Sequence, residues 1–317
     1  WWIQTTGLMI NIQAFLEKYY SPDEKIILAC STGADSMFLL YQILQTSYRD
    51  NIVACYFNHN TRDQCKLEEE FLLALWKKEG FEVEVAECDF EKIKKLYPSK
   101  SFEELAREKR YQFFDAVCHL HNSNKVVLAH HLDDRIETMM FHMLRGSKLT
   151  GLINMTEHSW AILRPLLWIE KIDILNYLDK NNLKYYEDKS NESNAHTRNF
   201  IRNEILPKFS KVHPEHKKNL QNLLTYFEDV KSHLDAEVSK FLWDENSFSI
   251  TEFHLLSPLL QKEIIREVFY RTNNKSTIWL SQGNITEVIR FINGKNNKTK
   301  KEIHEMNLFK DGDRILY

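Results

Sequence analysis

The sequence predicts an α/β fold in which a parallel sheet carries helices on both faces and is followed by a smaller, mainly helical C-terminal domain. Short apolar runs alternate with helical periodicities between residues 25 and 145. Such alternation is typical of parallel sheets, because parallel strands need long crossover connections and these are usually helices. At 317 residues, 43% of them hydrophobic, the chain is long enough for one large domain and a smaller one.

The predicted strands are short apolar runs, and the predicted helices repeat apolar residues at i, i+3, i+4 and i+7. The first strand, 25–30, leads through a short loop into a helix marked by Met37, Leu40 and Leu44. Further strands are predicted at 51–57, 81–85, 125–129 and 314–317. Two further helices are predicted to begin near Leu67 and at a cap formed by Ser101 and Glu104. Five more are predicted at 133–145, 169–181, 197–206, 220–242 and 258–270.

The domain boundary is predicted from composition along the chain. Residues 9–210 form the larger predicted domain and residues 211–317 the smaller one, because Pro207 and Pro214 interrupt a basic stretch there. Residues 1–8 precede the first methionine, Met9, and show no clear pattern. We expect them to be an N-terminal extension or a cloning remnant outside the fold.

Composition argues against several protein classes. The five cysteines are odd in number and no two have Cys-x-x-Cys spacing, which argues against a disulfide framework or a zinc ribbon. No apolar run approaches the roughly 20 residues that span a bilayer, and no signal peptide is evident. We therefore expect a cytoplasmic protein without a membrane partner.

The formal net charge of -3 means that any surface for nucleic acid must be local. Residues 198–220 contain six basic residues against two acidic ones, a net charge of plus four, and this segment is the predicted basic surface. Its basic residues are Arg198, Arg202, Lys208, Lys211, Lys217 and Lys218.

A polar loop lies between the first predicted strand and the helix that follows it. Backbone N–H groups, two hydroxyls and the positive end of a helix dipole converge there, which suits a polyphosphate. Gly33 permits close approach of the backbone, and Asp35 is placed to hold Mg²⁺ against phosphate oxygens. The alternative is a serine-capped helix without a ligand. The predicted nucleotide-binding residues are Ser31, Thr32, Gly33, Ala34, Asp35 and Ser36.

This loop, Ser-Thr-Gly-Ala-Asp-Ser, resembles the Ser-Gly-Gly-x-Asp-Ser signature of the PP-loop, or N-type, ATP pyrophosphatases. The resemblance implies cleavage of ATP to AMP and pyrophosphate while a carbonyl oxygen is adenylated. Thr32 departs from the pattern, because the family usually has glycine there. A β-branched residue adopts positive φ with difficulty. Either Thr32 has negative φ and its hydroxyl contacts phosphate, or the loop is weakened.

A second group of polar residues, 129–138, follows the strand predicted at 125–129. Asp134, Glu137 and Thr138 fall on one helical face there. Taken without the rest of the sequence, the two histidines and two aspartates of residues 130–134 would also fit the metal site of a phosphohydrolase. The segment could also be a capped helix that follows a strand. The upstream phosphate loop favours an adenylating enzyme, which needs acidic groups to hold Mg²⁺ or a cationic substrate.

A longer set of motifs resembles the tRNA(Ile)-lysidine synthetases, and all of them occur in that family's order over roughly residues 25–210. The matching segments are 101–111, 130–138, 144–152, 164–166, 188–191 and 197–202. The resemblance implies a ligase that uses ATP to join L-lysine to carbon 2 of the wobble cytidine of a tRNA(Ile) with a CAU anticodon. An adenylated cytidine is the implied intermediate, and AMP and pyrophosphate are released.

The same resemblance implies roles for the two domains. Residues 9–210 would be the PP-loop catalytic domain, and residues 211–317 would bind tRNA. ATP and Mg²⁺ are the implied cofactors, L-lysine and the tRNA are the implied partners, and a homodimer stays open as the assembly state.

Individual roles follow by matching this sequence to the family's motifs. Mg²⁺ on Asp35 and the guanidinium of Arg107 would stabilise the charge on the phosphates, with Arg110 as second choice for a substrate contact. Asp134 and Glu137 would bind the lysine ammonium and accept or relay its proton. The remaining predicted contacts are His59 with adenine or ribose, and His131, Arg198 and Arg202 with the substrates.

Each role has a plain structural alternative. Arg107 could pair with Glu103 or Glu104, Asp134 could cap its helix, and Glu137 could face solvent or join a salt bridge. His59 could be an ordinary loop histidine. Arg198 and Arg202 could pair internally with Asp188.

Two other functions remain open at this point. The first is a PP-loop adenylating ligase that acts on a small carbonyl compound, whose loop would look the same. The second is an RNA-binding protein with a degenerate nucleotide site, which Thr32 keeps open.

Overall fold

A computed structural model describes residues 3–5, 8–58, 64–88, 93–95, 97–159, 161–186, 197–244, 246–273 and 280–317. The chain divides into two compact units, Trp1–Leu224 and Thr225–Tyr317. Within the described residues, no helix combines the length and the apolar character needed to cross a bilayer.

The first unit contains eight described strands and the larger share of the helices. The strands are β1 (Ile3–Thr5), β2 (Leu8–Ile10), β3 (Ile26–Ala29), β4 (Ile52–Asn58), β5 (Glu82–Glu87), β6 (Val126–Val127), β7 (His158–Ser159) and β8 (Ile162–Leu163). The helices are α1 (Ile12–Tyr19), α2 (Ala34–Ile43), α3 (Gln64–Glu79), α4 (Phe102–Leu120), α5 (Leu132–Leu144), α6 (Leu149–Leu152) and α7 (Lys171–Lys180), followed by the segments described below.

Six of these strands form one sheet in the order β5-β4-β3-β6-β8-β7, and every neighbouring pair is parallel except β7 with β8. Side chains alternate between the two faces of a strand. Accordingly, Ile26 and Leu28 pack in one buried cluster with residues of α1, α2 and α7. Ile27 packs instead with Phe114 and Val117 of α4 in a second cluster. The prediction of a parallel sheet covered on both faces is confirmed.

The first ten residues include a small element that the sequence did not predict. Strand β1 pairs with β2 in an antiparallel hairpin, with Ile3 opposite Ile10 and Thr5 opposite Leu8. This hairpin is separate from the six-stranded sheet.

The predicted helix 197–206 is longer and less regular than expected. It comprises α8 (Thr197–Phe200), a π-helical segment (Ile201–Ile205) and α9 (Leu206–Val212). The prediction that the helix ends at about Leu206 is wrong, because Pro207 lies in the first turn of α9, a position that tolerates proline. Short π-helical segments inside helices are often found at functional sites.

The second unit is helical with a small antiparallel sheet. Helix α10 (His216–Phe241) crosses the division between the units; the other elements are β9 (Ser247–Ser249), α11 (Ile250–Leu255), α12 (Pro258–Thr272), α13 (Gln282–Asn293), β10 (Thr299–Ile303), β11 (Met306–Asp311) and β12 (Arg314–Leu316). The sheet order is β10-β11-β12-β9, and all of its pairs are antiparallel. The mainly helical character is confirmed, and of the four strands only β12 had been predicted.

The predicted cap of α4 is present. The Glu104 backbone N–H donates to Ser101 Oγ at 3.2 Å, and the Ser101 backbone N–H donates to Glu104 Oε2 at 2.8 Å. Two N–H groups at the helix start are satisfied in this way. Helix α4 carries Arg107 and Arg110, so the cap fixes the start of an element that contributes to the candidate site.

Replacing Ser101 with alanine should destabilise the first unit by about 1 kcal/mol, because the side-chain acceptor at the cap is lost. Urea unfolding of Ser101→Ala and of the wild type measures the difference. Ser101→Asp is the matched control and should stay close to the wild type, since aspartate accepts the same hydrogen bond. Equal stability of the alanine variant and the wild type would contradict a role for this cap.

Candidate active site

The polar segments singled out in the sequence meet at one edge of the six-stranded sheet. Residues 30–36 follow β3, residues 130–138 follow β6, and residues 164–166 follow β8. These three strands are neighbours and parallel, so their carboxyl ends lie side by side. Ligands of parallel sheets bind beyond this edge, where connecting loops and helix N-termini converge.

Thr32 adopts the left-handed conformation, with a φ of 60°. Of the two alternatives left open by the sequence, the one with negative φ and a hydroxyl in contact with phosphate is therefore wrong. Thr32 Oγ1 instead donates to the Ser31 carbonyl at 2.6 Å, and the Tyr186 backbone N–H donates to the Thr32 carbonyl at 2.9 Å. The left-handed region costs a non-glycine residue roughly 1–2 kcal/mol. These two hydrogen bonds and the complete burial of Thr32 hold the loop in that conformation.

The rest of the loop is stabilised from within by Ser36. Its Oγ donates to the Gly33 carbonyl at 3.0 Å and accepts from the Ser31 backbone N–H at 3.2 Å. Gly33 has a φ of -70° and caps α2, which begins at Ala34. Gly33 is thus not required for a positive φ; its lack of a side chain leaves space next to Ser31 Oγ, which a β-carbon would approach to 3.4 Å.

Asp35 lies in the first turn of α2 and contacts two side chains from the starts of α5 and α7. Its Oδ1 accepts a hydrogen bond from Lys171 Nζ at 2.6 Å, and its Oδ2 lies 3.6 Å from His131 Nε2. The Asp35 and Lys171 side chains are 30% and 33% exposed. The ion pair therefore lies at the surface of the site, where solvent and ligands can reach it.

Sequence reasoning did not single out Lys171. It is the first residue of α7, and its backbone N–H donates to Asp133 Oδ2 at 2.9 Å. One signal in the sequence could have identified it. A lysine at the positive end of a helix dipole is unfavourable, which indicates that an anionic group lies nearby.

His131 lies between the phosphate loop and the acidic helix. It is 4% exposed, and its Nε2 is 3.6 Å from Asp35 Oδ2 and 3.5 Å from Asp134 Oδ2. The carboxylate predicted to hold Mg²⁺ and the carboxylate predicted to bind lysine therefore both lie within 3.6 Å of the same imidazole nitrogen.

The predicted acidic face of α5 is present, and two arginines from the segment 197–205 cover it. Arg202 Nε donates to Glu137 Oε1 at 2.6 Å, and Arg202 Nη2 donates to Glu137 Oε2 at 2.8 Å and to Asp134 Oδ1 at 3.1 Å. Arg198 donates to Thr138 Oγ1, which in turn donates to the Asp134 carbonyl. Both arginines pair internally with α5, and their predicted partner Asp188 lies outside the described residues.

The two carboxylates on this face have opposite pKa shifts. Burial alone would raise the pKa of Asp134, but the neighbouring His131 and His130 side chains, the His131 backbone N–H and Arg202 outweigh it and hold that pKa below its usual value. Burial raises the pKa of Glu137 above its usual value despite the hydrogen bonds from Arg202, because its side chain is only 1% exposed. Asp134 is thus the stronger acid of the pair.

Asp133 also has a pKa below its usual value. Burial opposes ionisation of this carboxyl, but the Lys217 ammonium and the Lys171 backbone N–H outweigh that effect. Lys217 also lies 3.7 Å from Glu170. Asp133 thereby joins the start of α5 to the starts of α7 and α10.

His130 is neutral and acts as an acceptor. Arg164 Nε donates to its Nδ1 at 3.2 Å, while Arg164 Nη1 donates to the Thr156 carbonyl at 2.9 Å. Burial lowers the pKa of His130 to about 4, and the charges of Arg164 and Arg198 lower it as well, against the opposing effect of Asp134. His130 therefore orients Arg164 at the carboxyl end of β8.

Arg107 and Arg110 remain available for an anion. The Arg107 guanidinium lies 4.7 Å from the Tyr111 ring, and the side chain is exposed. Burial lowers the pKa of Arg110, and the neighbouring Arg107 lowers it further. Among the described residues no carboxylate forms an ion pair with Arg107. Its predicted partner Glu104 instead accepts a hydrogen bond from the Ser101 backbone N–H. The Glu103 side chain and His59 lie outside the described residues.

The six basic residues of the predicted surface at 198–220 fall into two groups, those that contact α5 and those that are exposed. Arg198, Arg202 and Lys217 contact α5 as described above, whereas Lys208, Lys211 and Lys218 are exposed. The positive charge available at the protein surface is therefore about half of what the sequence suggested.

The residues at the site fit a magnesium ion only together with phosphate. Over the described ranges, no group of three or more His, Cys, Asp or Glu side chains is arranged to hold a metal. Mg²⁺ commonly uses one or two carboxylates and completes its shell with substrate phosphates and water. Asp35 meets that requirement, since its Oδ2 has no hydrogen-bond donor within 3.5 Å in the described part of the chain.

Comparisons with known proteins agree on one family. A family model described as a PP-loop domain matches residues 5–209. The chain is 34% identical to a tRNA(Ile)-lysidine synthase from Petrotoga mobilis, over 70% of this chain and 74% of that protein. It is 32% identical to one from Bacteroides thetaiotaomicron (68% and 50%) and 30% identical to one from Staphylococcus epidermidis (79% and 61%). The chain thus spans about half to three-fifths of the length of the latter two relatives.

Among solved structures, the U34-tRNA thiolase NcsA from Methanococcus maripaludis is similar, with a TM-score of 0.54 at 19% identity over 67% of this chain and 73% of that one. This similarity supports the fold alone. The match of residues 5–209 to the PP-loop domain, and the extent of identity to the Petrotoga protein, show that the chain belongs to the tRNA(Ile)-lysidine synthase family of PP-loop proteins.

Proposed function

We propose that this protein ligates L-lysine to carbon 2 of the wobble cytidine of a tRNA(Ile) with a CAU anticodon, with ATP as the activating substrate. The observation that carries the proposal is the position of His131, whose Nε2 lies 3.6 Å from Asp35 and 3.5 Å from Asp134. Two groups with different tasks, one facing phosphate and one facing an ammonium, thus share one small site. A reaction that adenylates a base and then brings in an amine needs both groups close together.

In the first step, the cytosine oxygen on carbon 2 forms a bond to the α-phosphorus of ATP, and the bond to the bridging oxygen breaks, so that pyrophosphate leaves. The backbone N–H groups of residues 31–36 and the start of α2 are suited to bind that pyrophosphate. Arg107, an exposed guanidinium without a carboxylate partner in the described residues, is suited to stabilise the charge that develops on the α-phosphate. Mg²⁺, held by Asp35, would neutralise phosphate charge during this step.

In the second step, the lysine ε-amine attacks carbon 2 and AMP leaves. Lysine arrives as an ammonium and must lose a proton before it can attack. Asp134, whose pKa is lowered, stays ionised and can hold the ammonium by its charge. Glu137, whose pKa is raised, is the better proton acceptor of the two, because its raised pKa is closer to that of an ammonium.

Arg202 contacts the two carboxylates that we propose for the lysine ammonium. Its guanidinium contacts both oxygens of Glu137 and one oxygen of Asp134. A lysine ammonium can bind these carboxylates only if Arg202 gives up part of this contact. Arg202 is 36% exposed, so it has room to turn towards the tRNA backbone.

We further propose that the tRNA contacts basic side chains around the site and that residues 211–317 contribute to its binding. Lys208, Lys211 and Lys218 are exposed and form no ion pair within the described part of the chain. Single-stranded anticodon bases are recognised by stacking and by their edges as well as by phosphate contacts. The modest positive charge is therefore sufficient for a partner that is also recognised by shape.

The decisive experiment supplies unmodified tRNA(Ile), ATP, Mg²⁺ and labelled lysine and analyses the nucleosides by mass spectrometry. Lysidine is expected, and omission of ATP should abolish it. A tRNA(Ile) with guanosine at the wobble position is the control and should remain unlabelled. If the protein adenylates no tRNA but does activate a small carbonyl compound, the proposal is wrong and the alternative PP-loop ligase is correct.

Glu137→Gln should separate the two steps. It should raise the KM for lysine by roughly tenfold or more and lower kcat, because one charge-assisted contact and the proton acceptor are lost. Exchange of labelled pyrophosphate into ATP in the presence of tRNA should persist. Glu267→Gln is the matched control, since Glu267 also pairs with an arginine, Arg271, at 2.8 Å, but in the second unit. Equal loss of exchange and of lysine use in Glu137→Gln would exclude a specific role in lysine binding.

Stability should decrease as the pH falls from about 6.5 to about 4, the window between the usual pKa of His130 and its lowered value. In that window the unfolded chain binds a proton that the folded chain does not, so acidification favours unfolding, by at most about 3 kcal/mol. Glu137 acts in the opposite direction, because its raised pKa makes the folded state bind a proton first.

Comparison of His130→Gln with the wild type isolates the histidine contribution, since the glutamine amide can still accept from Arg164. Denaturant unfolding at several pH values should give a flatter profile for the variant. Parallel profiles for the two proteins would show that His130 is not the group responsible.

A further inference from the structure

The ion pair between Lys171 and Asp35 lies next to the phosphate loop and belongs to none of the motifs that indicated the function. It joins residues separated by 136 positions in the sequence, with Nζ 2.6 Å from Oδ1. The backbone of Lys171 is fixed by its hydrogen bond to Asp133, so its side chain starts from a defined point at the edge of the sheet. Asp35 lies in the first turn of α2, where the backbone N–H groups suited to phosphate are located.

Stability does not account for this lysine. A cation at the first position of a helix is opposed by the helix dipole. An ion pair whose partners are both about one-third exposed contributes little, because water and salt screen it. Such a pair can be exchanged for another partner at small cost.

Mg²⁺ on the Asp35 carboxylate would weaken its pairing with Lys171. A carboxylate that holds Mg²⁺ against phosphate oxygens has less negative charge to offer an ammonium. A lysine released there, with four rotatable side-chain carbons, lies within reach of the phosphates that the loop would bind.

We propose that Lys171 is a further catalytic residue, which exchanges Asp35 for the pyrophosphate of ATP. This inference rests on the proposed function. During adenylation the bond between the α-phosphorus and the bridging oxygen breaks, and its electron pair stays on the departing pyrophosphate. The Lys171 ammonium stabilises that charge; it neither gives nor takes a proton, so the atom balance of the step is unchanged.

The test measures binding of inorganic pyrophosphate and of AMP, each with Mg²⁺, by titration calorimetry. The proteins are the wild type, Lys171→Ala, Lys171→Arg and, as matched control, Lys180→Ala, which removes an exposed lysine from the other end of the same helix. Lys171→Ala should weaken pyrophosphate binding about 10- to 100-fold, the loss expected for one charge-assisted contact. AMP binding should change less than about twofold, and Lys171→Arg and Lys180→Ala should bind pyrophosphate nearly as tightly as the wild type.

Unchanged pyrophosphate binding by Lys171→Ala overturns the inference and leaves the proposed function intact. A parallel loss of pyrophosphate and AMP binding also overturns it, because Lys171 would then support the shape of the site rather than contact phosphate. Thermal unfolding of each variant identifies any general loss of folding. If Lys171→Ala is unfolded, the pyrophosphate binding of Lys171→Arg is compared with that of the wild type instead. If the wild type binds neither ATP nor pyrophosphate, the ATP half of the proposed function fails together with this inference.

Discussion

Charge compensation among four carboxylates at one edge of the parallel sheet is the constraint on which the site depends. Asp35, Asp133, Asp134 and Glu137 come from two helix starts that follow neighbouring strands. Each is paired with a cation from a later part of the chain: Lys171, Lys217 and Arg202. The constraint is strongest at Glu137, whose side chain is 1% exposed, because a buried carboxylate that loses its partner is strongly disfavoured. It is weakest at Asp35, which is 30% exposed.

The same compensation bears on the proposed function. Lys171 contacts the carboxylate proposed for Mg²⁺, and Arg202 contacts those proposed for the lysine ammonium. Ligand binding is then an exchange of partners rather than the burial of a new charge. Because both protein cations are about one-third exposed, each can move towards solvent or towards a bound phosphate.

Local patterns in the sequence predicted most elements of the first unit, because buried strands and amphipathic helices have strong periodicities. The strands β10 and β11 were missed, since each carries charged residues and only one face of each is buried. The continuation of the helix past Pro207 was also missed, because a proline in a first helical turn looks the same in sequence as a proline that ends a helix. For the site, the phosphate loop and the acidic face of α5 could be predicted, because each lies within one short segment.

The sequence by itself determined the order of strands and helices, the position of the phosphate loop and the alignment of Asp134, Glu137 and Thr138 on one face. These are local properties, fixed by spacing along a helix or by the turn between a strand and a helix. Only the tertiary structure decided that Thr32 is left-handed, that Lys171 pairs with Asp35, and that Arg198 and Arg202 face α5 rather than solvent. The physical reason is distance along the chain: the ion pairs join residues 65 to 136 positions apart, and the energy that favours them exists only after the sheet has brought those segments together.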